Sequence, residues 1–338
     1  MKFGLFGGAV RRGETADSAS YGKFIDYVSA ADRFGYAGIF IVEHHFSGIG
    51  QVSASLNFLT YLAAKTTNIR LGTAVTVLPW HNPVLLAEEV ATLDLLSNGR
   101  LDFGVGKGYR DIEFKGFCIP KEEAQARYEE ALEIMFKAWQ SRERFSYHSD
   151  LWNFEDIIVE PEPVQKPYPP IWTGAGTPAS IARVAGAGFN VLLDQYGDFG
   201  LTRERVANFR AACEAARRTY DPMQLGLTRA VVMTGSSRET DEATEARANR
   251  VGAMDRFGRL PGLPEQPASY AESGQAPDDA AIIGEPNQVI ERLLELKEFG
   301  VEYVLMLATG TPETLGNFAD KIMPALGTDD QAIGSAAE

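Results

Sequence analysis

Three of the four histidines in this 338-residue chain stand beside other polar residues in a pattern that suggests proton transfer. His44 and His45 follow Glu43, and His81 follows Trp80. A histidine titrates near neutral pH, so an imidazole is the group that most readily exchanges a proton in an enzyme. A bound metal is the alternative use of such a cluster, but adjacent side chains of an extended segment point in opposite directions. We therefore predict that at least one of these histidines is functional and that no metal is bound.

A glycine-rich segment at residues 174–180, with the sequence GAGTPAS, contains the residue types that bind an anion. Gly174 and Gly176 allow the backbone to approach a ligand closely, and Thr177 and Ser180 carry hydroxyl donors. If a helix begins here, its free N–H groups and its dipole favour a negative charge. The segment therefore predicts a phosphate-binding loop.

The same segment also fits a purely structural role, in which Thr177 caps the helix and Pro178 occupies its first turn. The two roles are compatible. A cation for the phosphate could come from Lys107, which follows a neighbouring predicted strand. The alternative for Lys107 is an ordinary solvated lysine.

The elements that position these residues are short apolar runs that alternate with amphipathic segments. The apolar runs predict eight strands, at residues 2–6, 38–42, 69–77, 101–105, 171–173, 190–193, 225–233 and 303–307. The helical spacing of apolar residues predicts helices at residues 18–34, 53–65, 84–96, 121–139, 178–187, 203–219, 240–250, 287–299 and 312–326. Residues 145–159 alternate weakly, which is compatible with a hairpin.

Strands that alternate with helices in this way require a parallel sheet and favour a closed (β/α)8 TIM barrel. An open doubly wound sheet is the competitor, but residues 7–11, GGAVR, do not fit its GxGxxG fingerprint. We predict one barrel domain over residues 1–326, with a lid-like insertion at residues 255–280 and a disordered acidic tail at residues 327–338. The chemistry of such barrels sits at the carboxyl ends of the strands, where the histidines and the glycine-rich segment fall.

The composition argues against several classes of function. A net charge of −14 opposes nucleic-acid binding, and two cysteines provide no disulfide framework. No apolar run approaches the roughly 18 residues of a membrane span, and the first residues do not resemble a secretion signal. We therefore expect a cytoplasmic enzyme.

Several stretches of the chain together resemble the bacterial luciferase-like monooxygenases. They are MKFG at residues 1–4, VEHHFSGIG at 42–50, LGTAVTVLP at 71–79, AEEVATLDLLSNGRLDFGVGKGYRDIEF at 87–114 and IIGEPNQVIERL at 282–293. Each stretch alone is unspecific, but their order and spacing together make the resemblance strong.

The resemblance implies a flavin enzyme that uses reduced FMN and molecular oxygen to oxidise a small organic substrate through a flavin C4a-peroxide. A separate flavin reductase would supply the reduced FMN. The chain would form a homodimer through the helices near residues 53–65 and 84–96. A peroxide of this kind survives only in a dry cavity, so the predicted lid would close over it.

The resemblance also implies roles for individual residues. His44 matches a histidine that serves as catalytic base or hydrogen-bond partner. Ala74 and Val75 match a pair joined by a non-prolyl cis peptide beneath the flavin ring. Lys107 takes the place of a basic residue that binds the FMN phosphate.

Further phosphate contacts in the family fall at Gly176 and Ser180, but two features of this sequence depart from the family pattern. Gly106 stands where light-emitting members carry a cysteine, which argues against light emission. Ala175 and Gly176 replace an acidic and hydroxyl pair, so the backbone must contribute more of the phosphate binding.

We expect the substrate pocket to be lined by His45, Trp80, His81 and Asp194, together with the lid. Trp80 and Trp172 are large enough to wall an apolar ligand, although core packing is the more frequent role of tryptophan.

Three alternatives stay open. Enzymes of the same superfamily that use the deazaflavin F420 transfer hydride and do not activate oxygen, but the EHH and GTAV stretches favour FMN. A non-catalytic flavin-binding protein is the second, and His44 argues against it because storage needs no base. The third is an aldolase or isomerase, for which Lys107 would have to form a Schiff base.

Overall fold

The computed structural model describes residues 1–10, 16–48, 51–257 and 280–327. The predicted lid at residues 255–280 and the predicted tail at residues 327–338 lie almost entirely outside the described residues. Within the described part of the chain, no helix is long and apolar enough to cross a membrane.

The strands form a closed parallel barrel, which confirms the predicted fold. The strands are β1 (Lys2–Gly7), β2 (Gly38–Ile41), β3 (Arg70–Thr73), β4 (Thr76–Val77), β5 (Leu101–Gly106), β6 (Phe145–His148), β7 (Asn153–Ile157), β8 (Ile171–Gly174), β9 (Asn190–Leu193), β10 (Leu225–Arg229), β11 (Val231–Met233), β12 (Ile282–Gly284) and β13 (Tyr303–Leu307). Around the barrel the order is β1, β2, β3 with β4, β5, β8, β9, β10 and β13, and the pairing of β13 with β1 closes it. The remaining strands form an antiparallel hairpin, β6 with β7, and a separate parallel pair, β11 with β12.

The helices surround this barrel. They are α1 (Asp17–Arg33), α2 (Ser55–Ala63), α3 (Pro83–Leu96), α4 (Asp111–Gly116), α5 (Ala124–Gln140), α6 (Pro178–Gly186), α7 (Phe199–Ala215), α8 (Ser237–Phe257), α9 (Pro286–Glu298) and α10 (Pro312–Lys321). Helix α4 is absent from the sequence predictions, and α7 begins four residues earlier than the predicted start at Arg203. Both differences concern residues at the carboxyl end of the barrel.

The third strand of the barrel is interrupted close to the candidate site. Thr73 Oγ1 donates to the carbonyl of Gly104 (2.7 Å) and accepts from its N–H (2.9 Å). A Cβ at Gly104 would overlap the carbonyl of Thr73, so only glycine allows this close approach. The next peptide bond, Ala74–Val75, is cis, as the resemblance implies. The single strand predicted at residues 69–77 is therefore two short strands, β3 and β4.

The interior of the barrel is a packed core. It contains the side chains of Phe40, Trp172, Leu192, Tyr303 and Leu305. The rings of Phe40 and Trp172 meet edge to face with centroids 5.3 Å apart, and Trp172 is buried. Trp172 therefore contributes to core packing, the more frequent of its two expected roles.

Candidate functional site

A cavity of about 1370 Å³ opens where the barrel strands end. Nine of the twelve residues predicted for the site line it. They are His44, Ala74, Val75, Lys107, Gly174, Gly176, Thr177, Ser180 and Asp194. These residues follow five different strands, so only the closure of the barrel brings them together.

His44 has one face towards this cavity and one towards a buried carboxylate. Its Nδ1 lies 3.2 Å from Oε1 of Glu113, and its side chain is 15% exposed. Burial lowers the pKa of His44, and the hydrogen bond to Glu113 opposes that shift only in part. The imidazole is therefore neutral near pH 7 and able to accept a proton.

Glu43 is a buried carboxylate beside the cavity, and three donors meet at one of its oxygens. Oε1 accepts hydrogen bonds from Trp80 Nε1 (2.8 Å), His45 Nε2 (3.0 Å) and His81 Nε2 (3.0 Å). Although burial alone would raise it, these hydrogen bonds bring the pKa of Glu43 down to about 2. Burial lowers the pKa of His81, but the contact with Glu43 outweighs burial and raises it overall.

The three donors to Glu43 are residues predicted for the substrate pocket, yet His45, Trp80 and His81 do not line the cavity. Trp80 instead stacks on Phe117, with centroids 5.1 Å apart, and meets Phe114 edge to face at 5.4 Å. These three residues therefore form a hydrogen-bonded cluster around Glu43, called the Glu43 cluster below. Their position at strand ends was predicted correctly, but their polar atoms bond to Glu43, which itself lines the cavity.

The wall next to His44 is apolar. Ala74 and Val75 line the cavity together with Val77 and Val105. A Cβ at Gly106 would overlap the side chain of Val75, so a larger residue fits there only if Val75 moves. The glycine that replaces the cysteine of light-emitting members is thus matched to the position of Val75.

The glycine-rich loop leads into α6 as a capped helix start. Thr177 Oγ1 accepts from the N–H of Ser180 (3.2 Å), and Ser180 Oγ accepts from the N–H of Thr177 (3.1 Å) and of Gly176 (3.3 Å). This capping box satisfies the structural role considered for the loop. Because the loop also lines the cavity, the capped helix start directs its positive dipole towards a ligand there.

Arg205 is a cavity residue that the sequence analysis missed. From α7, its Nη1 lies 2.9 Å from Asp194 Oδ2, and its Nε donates to the carbonyl of Gly176 (2.9 Å). A Cβ at Gly176 would lie 2.8 Å from Arg205 Nη2, so glycine leaves room for the guanidinium. Arg205 could have been noticed because it follows soon after the strand at residues 190–193, which is β9. However, the predicted helix began at Arg203, and nothing in the sequence indicated that the side chain of Arg205 points inwards.

Asp194 lines the cavity, but its carboxylate is occupied by protein groups. Besides the contact with Arg205, Oδ1 accepts from the N–H of Tyr196 (2.8 Å) and of Gly197 (3.2 Å). Lys107, in contrast, is exposed at the rim, where its Nζ lies 3.4 Å from Gln125 Oε1. The cavity therefore offers an exposed lysine, an arginine held by two hydrogen bonds and a helix N-terminus to an anion. Among the described residues, no group of three or more histidine, cysteine or acidic side chains is arranged to hold a metal.

Comparisons with known proteins place this geometry in context. A sequence model of the family described as luciferase-like monooxygenase matches residues 1–303. The flavin-dependent trigonelline monooxygenase, oxygenase component, of Acinetobacter baylyi is 27% identical over an alignment of 350 residues, covering 96% of this chain and 95% of that protein. An uncharacterized protein of Sinorhizobium fredii, y4vJ, is 30% identical over 250 residues, which are 74% of this chain and 65% of that protein, slightly under two thirds of its length.

Solved structures share the fold at low sequence identity. Monooxygenase RslO1 from Streptomyces bottropensis superposes with a TM-score of 0.81 at 24% identity, covering 97% of this chain and 100% of that one. The coenzyme F420-dependent tetrahydromethanopterin reductase from Methanopyrus kandleri gives a TM-score of 0.68 at 18% identity, covering 96% and 99%. The fold alone thus does not distinguish FMN from F420.

Proposed function

Because the chain belongs to the luciferase-like monooxygenase family, we propose that it is a monooxygenase that uses reduced FMN and molecular oxygen to oxidise a small organic substrate. The observation that carries the proposal is the convergence in one cavity of the neutral imidazole of His44, the Ala74–Val75 segment and the start of α6 with two nearby cations, Lys107 and Arg205. The relative from Acinetobacter baylyi, named as a flavin-dependent monooxygenase, supports the same assignment.

The residues present fit an FMN. The helix dipole at the start of α6, with Lys107 and Arg205, would hold its phosphate, because a helix N-terminus and cations together favour a dianion. Ala74 and Val75 would hold the ring. A volume of about 1370 Å³ exceeds the roughly 300–1,000 Å³ typical of a single ligand pocket, so room is left for an organic substrate.

A bound reduced FMN would supply the electrons that activate molecular oxygen. The chain itself contributes the apolar wall formed by Val75, Val77 and Val105, which keeps water from the reacting atoms. His44 contributes a neutral imidazole, which would accept a proton from the substrate. A flavin reductase would deliver the cofactor already reduced.

Anaerobic titration distinguishes this proposal from the F420-dependent and the non-catalytic flavin-binding alternatives. Reduced FMN should stabilise the chain against thermal unfolding more than reduced F420 does. Preferential binding of F420 would support the hydride-transferring alternative instead. Binding of oxidised and reduced FMN without any oxygen-dependent reaction would support a flavin-binding protein without catalysis.

We further propose a homodimer through one face of α2 and α3. Leu85 and Leu96 are each 58% exposed, and their spacing of 11 residues puts them on the same face of α3. Leu85 borders a cleft of about 350 Å³ between α2 and α3, which Leu56, Thr60 and Thr92 also line. Exposed leucines beside such a cleft are typical of a protein interface. The cytoplasmic location stays a prediction.

A further inference from the structure

We propose that Glu113 is a positioning residue that fixes the tautomer and the orientation of His44. Glu113 would accept a hydrogen bond from Nδ1–H, so that the lone pair of Nε2 faces the cavity. The use of that lone pair as a base rests on the proposed function, whereas the tautomer itself does not.

The hydrogen-bond pattern at Glu113 requires an acceptor. Oε1 of Glu113 accepts the backbone N–H of His45 at 3.0 Å, and the same oxygen lies 3.2 Å from His44 Nδ1. Arg110 Nη1 lies 3.9 Å from the same oxygen. Because a carboxylate oxygen surrounded by N–H groups acts as a hydrogen-bond acceptor, the proton between Glu113 and His44 would reside on Nδ1.

The other imidazole nitrogen is the one available to a ligand. His44 lines the cavity, and among the residues that the structure describes no hydrogen-bond partner faces Nε2. Glu113, with a side chain that is 2% exposed, contacts Nδ1 of the imidazole and also borders the cavity. A buried carboxylate that holds the far nitrogen of a histidine sets which nitrogen can take up a proton.

The charges around His44 come from two places, the start of α4 and the segment that follows β2. Burial has the largest effect on the pKa of His44 and lowers it. The hydrogen bond to Glu113 has the next largest effect and raises the pKa, and the positive charge of Arg110 then lowers it. The negative charges of Glu113 and Glu43 raise the pKa as well. Removal of the Glu113 charge would therefore lower the pKa of His44 further and release the constraint on its tautomer.

The position of Glu113 depends on contacts between α4 and Trp80 of the Glu43 cluster. Glu113 lies on α4, and its neighbour Phe114 packs against Trp80, as does Phe117 just after the helix. A Cβ at Gly116 would overlap the ring of Phe46, so α4 approaches that ring closely. These aromatic contacts hold a six-residue helix that is too short to be stable alone.

The histidine content of the chain permits a direct test. With only four histidines, two-bond proton–nitrogen correlation spectra of nitrogen-15 histidine-labelled full-length chain should give four resolvable imidazoles. His44→Asn identifies the His44 signals. Near neutral pH, the Nδ1–H form of His44 should exceed the Nε2–H form by about tenfold or more, as one charge-assisted hydrogen bond supports.

Glu113→Gln should lower that ratio by about tenfold and lower the pKa of His44, whereas Glu113→Asp should restore the Nδ1–H form in part. Glu129→Gln, at a cavity residue without a hydrogen bond to His44, is the matched control and should leave the spectrum of His44 unchanged. A folded Glu113→Gln variant with an unaltered tautomer ratio would overturn the proposal.

If Glu113→Gln does not fold, the wild-type spectrum decides alone, because a predominant Nε2–H form contradicts the proposal. The measurement needs no flavin. Its failure is therefore distinguishable from a failure of the proposed function.

Discussion

Replacement of Glu43 by glutamine tests whether the buried carboxylate organises the wall of the cavity. Glu43→Gln preserves the size of the side chain but removes the charge at which three donors meet. The amide of glutamine is uncharged, but its oxygen can still accept some of these hydrogen bonds. We expect the variant to fold, with a marked loss of stability.

The magnitude of this loss follows from two independent estimates. A shift in the pKa of Glu43 from 4.5 to about 2 corresponds to about 3 kcal/mol of stabilisation. Removal of one partner from a buried ion pair typically costs about 3–5 kcal/mol. A loss of about 3 kcal/mol is a large share of the roughly 5–15 kcal/mol that stabilises an ordinary domain.

Urea unfolding followed by far-ultraviolet circular dichroism measures the change. Glu129→Gln is the matched control, since this exposed glutamate accepts a hydrogen bond from Gln125 and has none to Glu43, and its effect should stay within about 0.5 kcal/mol. The pH dependence gives a second readout. Because the folded-state pKa of Glu43 is depressed, its contribution is complete above about pH 4.5 and is lost as the pH falls towards about 2.

The free-energy difference between the wild type and Glu43→Gln should therefore narrow over that pH range. A loss of under about 1 kcal/mol at neutral pH, or a difference that is independent of pH down to acid unfolding, would refute the organising role of Glu43.

Three further predictions concern the cofactor, the base and the assembly. Lys107→Ala should raise the Kd for FMN by about tenfold, or ~1.4 kcal/mol, but leave the Kd for riboflavin unchanged in fluorescence titrations; equal effects on both ligands would remove Lys107 from the phosphate site. His44→Ala should keep FMN binding but lose substrate oxidation, and full turnover would remove His44 from the mechanism. Leu85→Glu with Leu96→Glu should give a monomer in light scattering, whereas Leu294→Glu, at an exposed leucine of α9, should leave a dimer; an unaltered mass in the double variant would locate the interface elsewhere.

The barrel was predictable from the sequence because its strands are short apolar runs and its longer helices repeat apolar residues at helical spacing. Helix α4 was not, because six residues carry less than two helical turns and no periodicity can be recognised over them. Glu113 was missed together with α4. Its partner His44 was found from residue type and from its position after β2.

The direction of side chains at the strand ends was the other property that the sequence left open. His45, Trp80 and His81 occupy the expected end of the barrel, yet they point to Glu43 rather than into the cavity. A buried carboxylate needs donors, and this long-range demand outweighs any local preference of those side chains. Residue types and their order along the chain do not show which donors a buried carboxylate such as Glu43 will bind.

Stopped-flow absorbance shows whether this cavity holds reduced FMN for reaction with oxygen. An anaerobic mixture of the full-length chain and reduced FMN is mixed with oxygenated buffer, and the spectrum is followed in time. We expect an absorbance band of a flavin C4a-peroxide that outlasts the reaction of free reduced FMN. Reoxidation at the rate and with the spectra of free reduced FMN would contradict it.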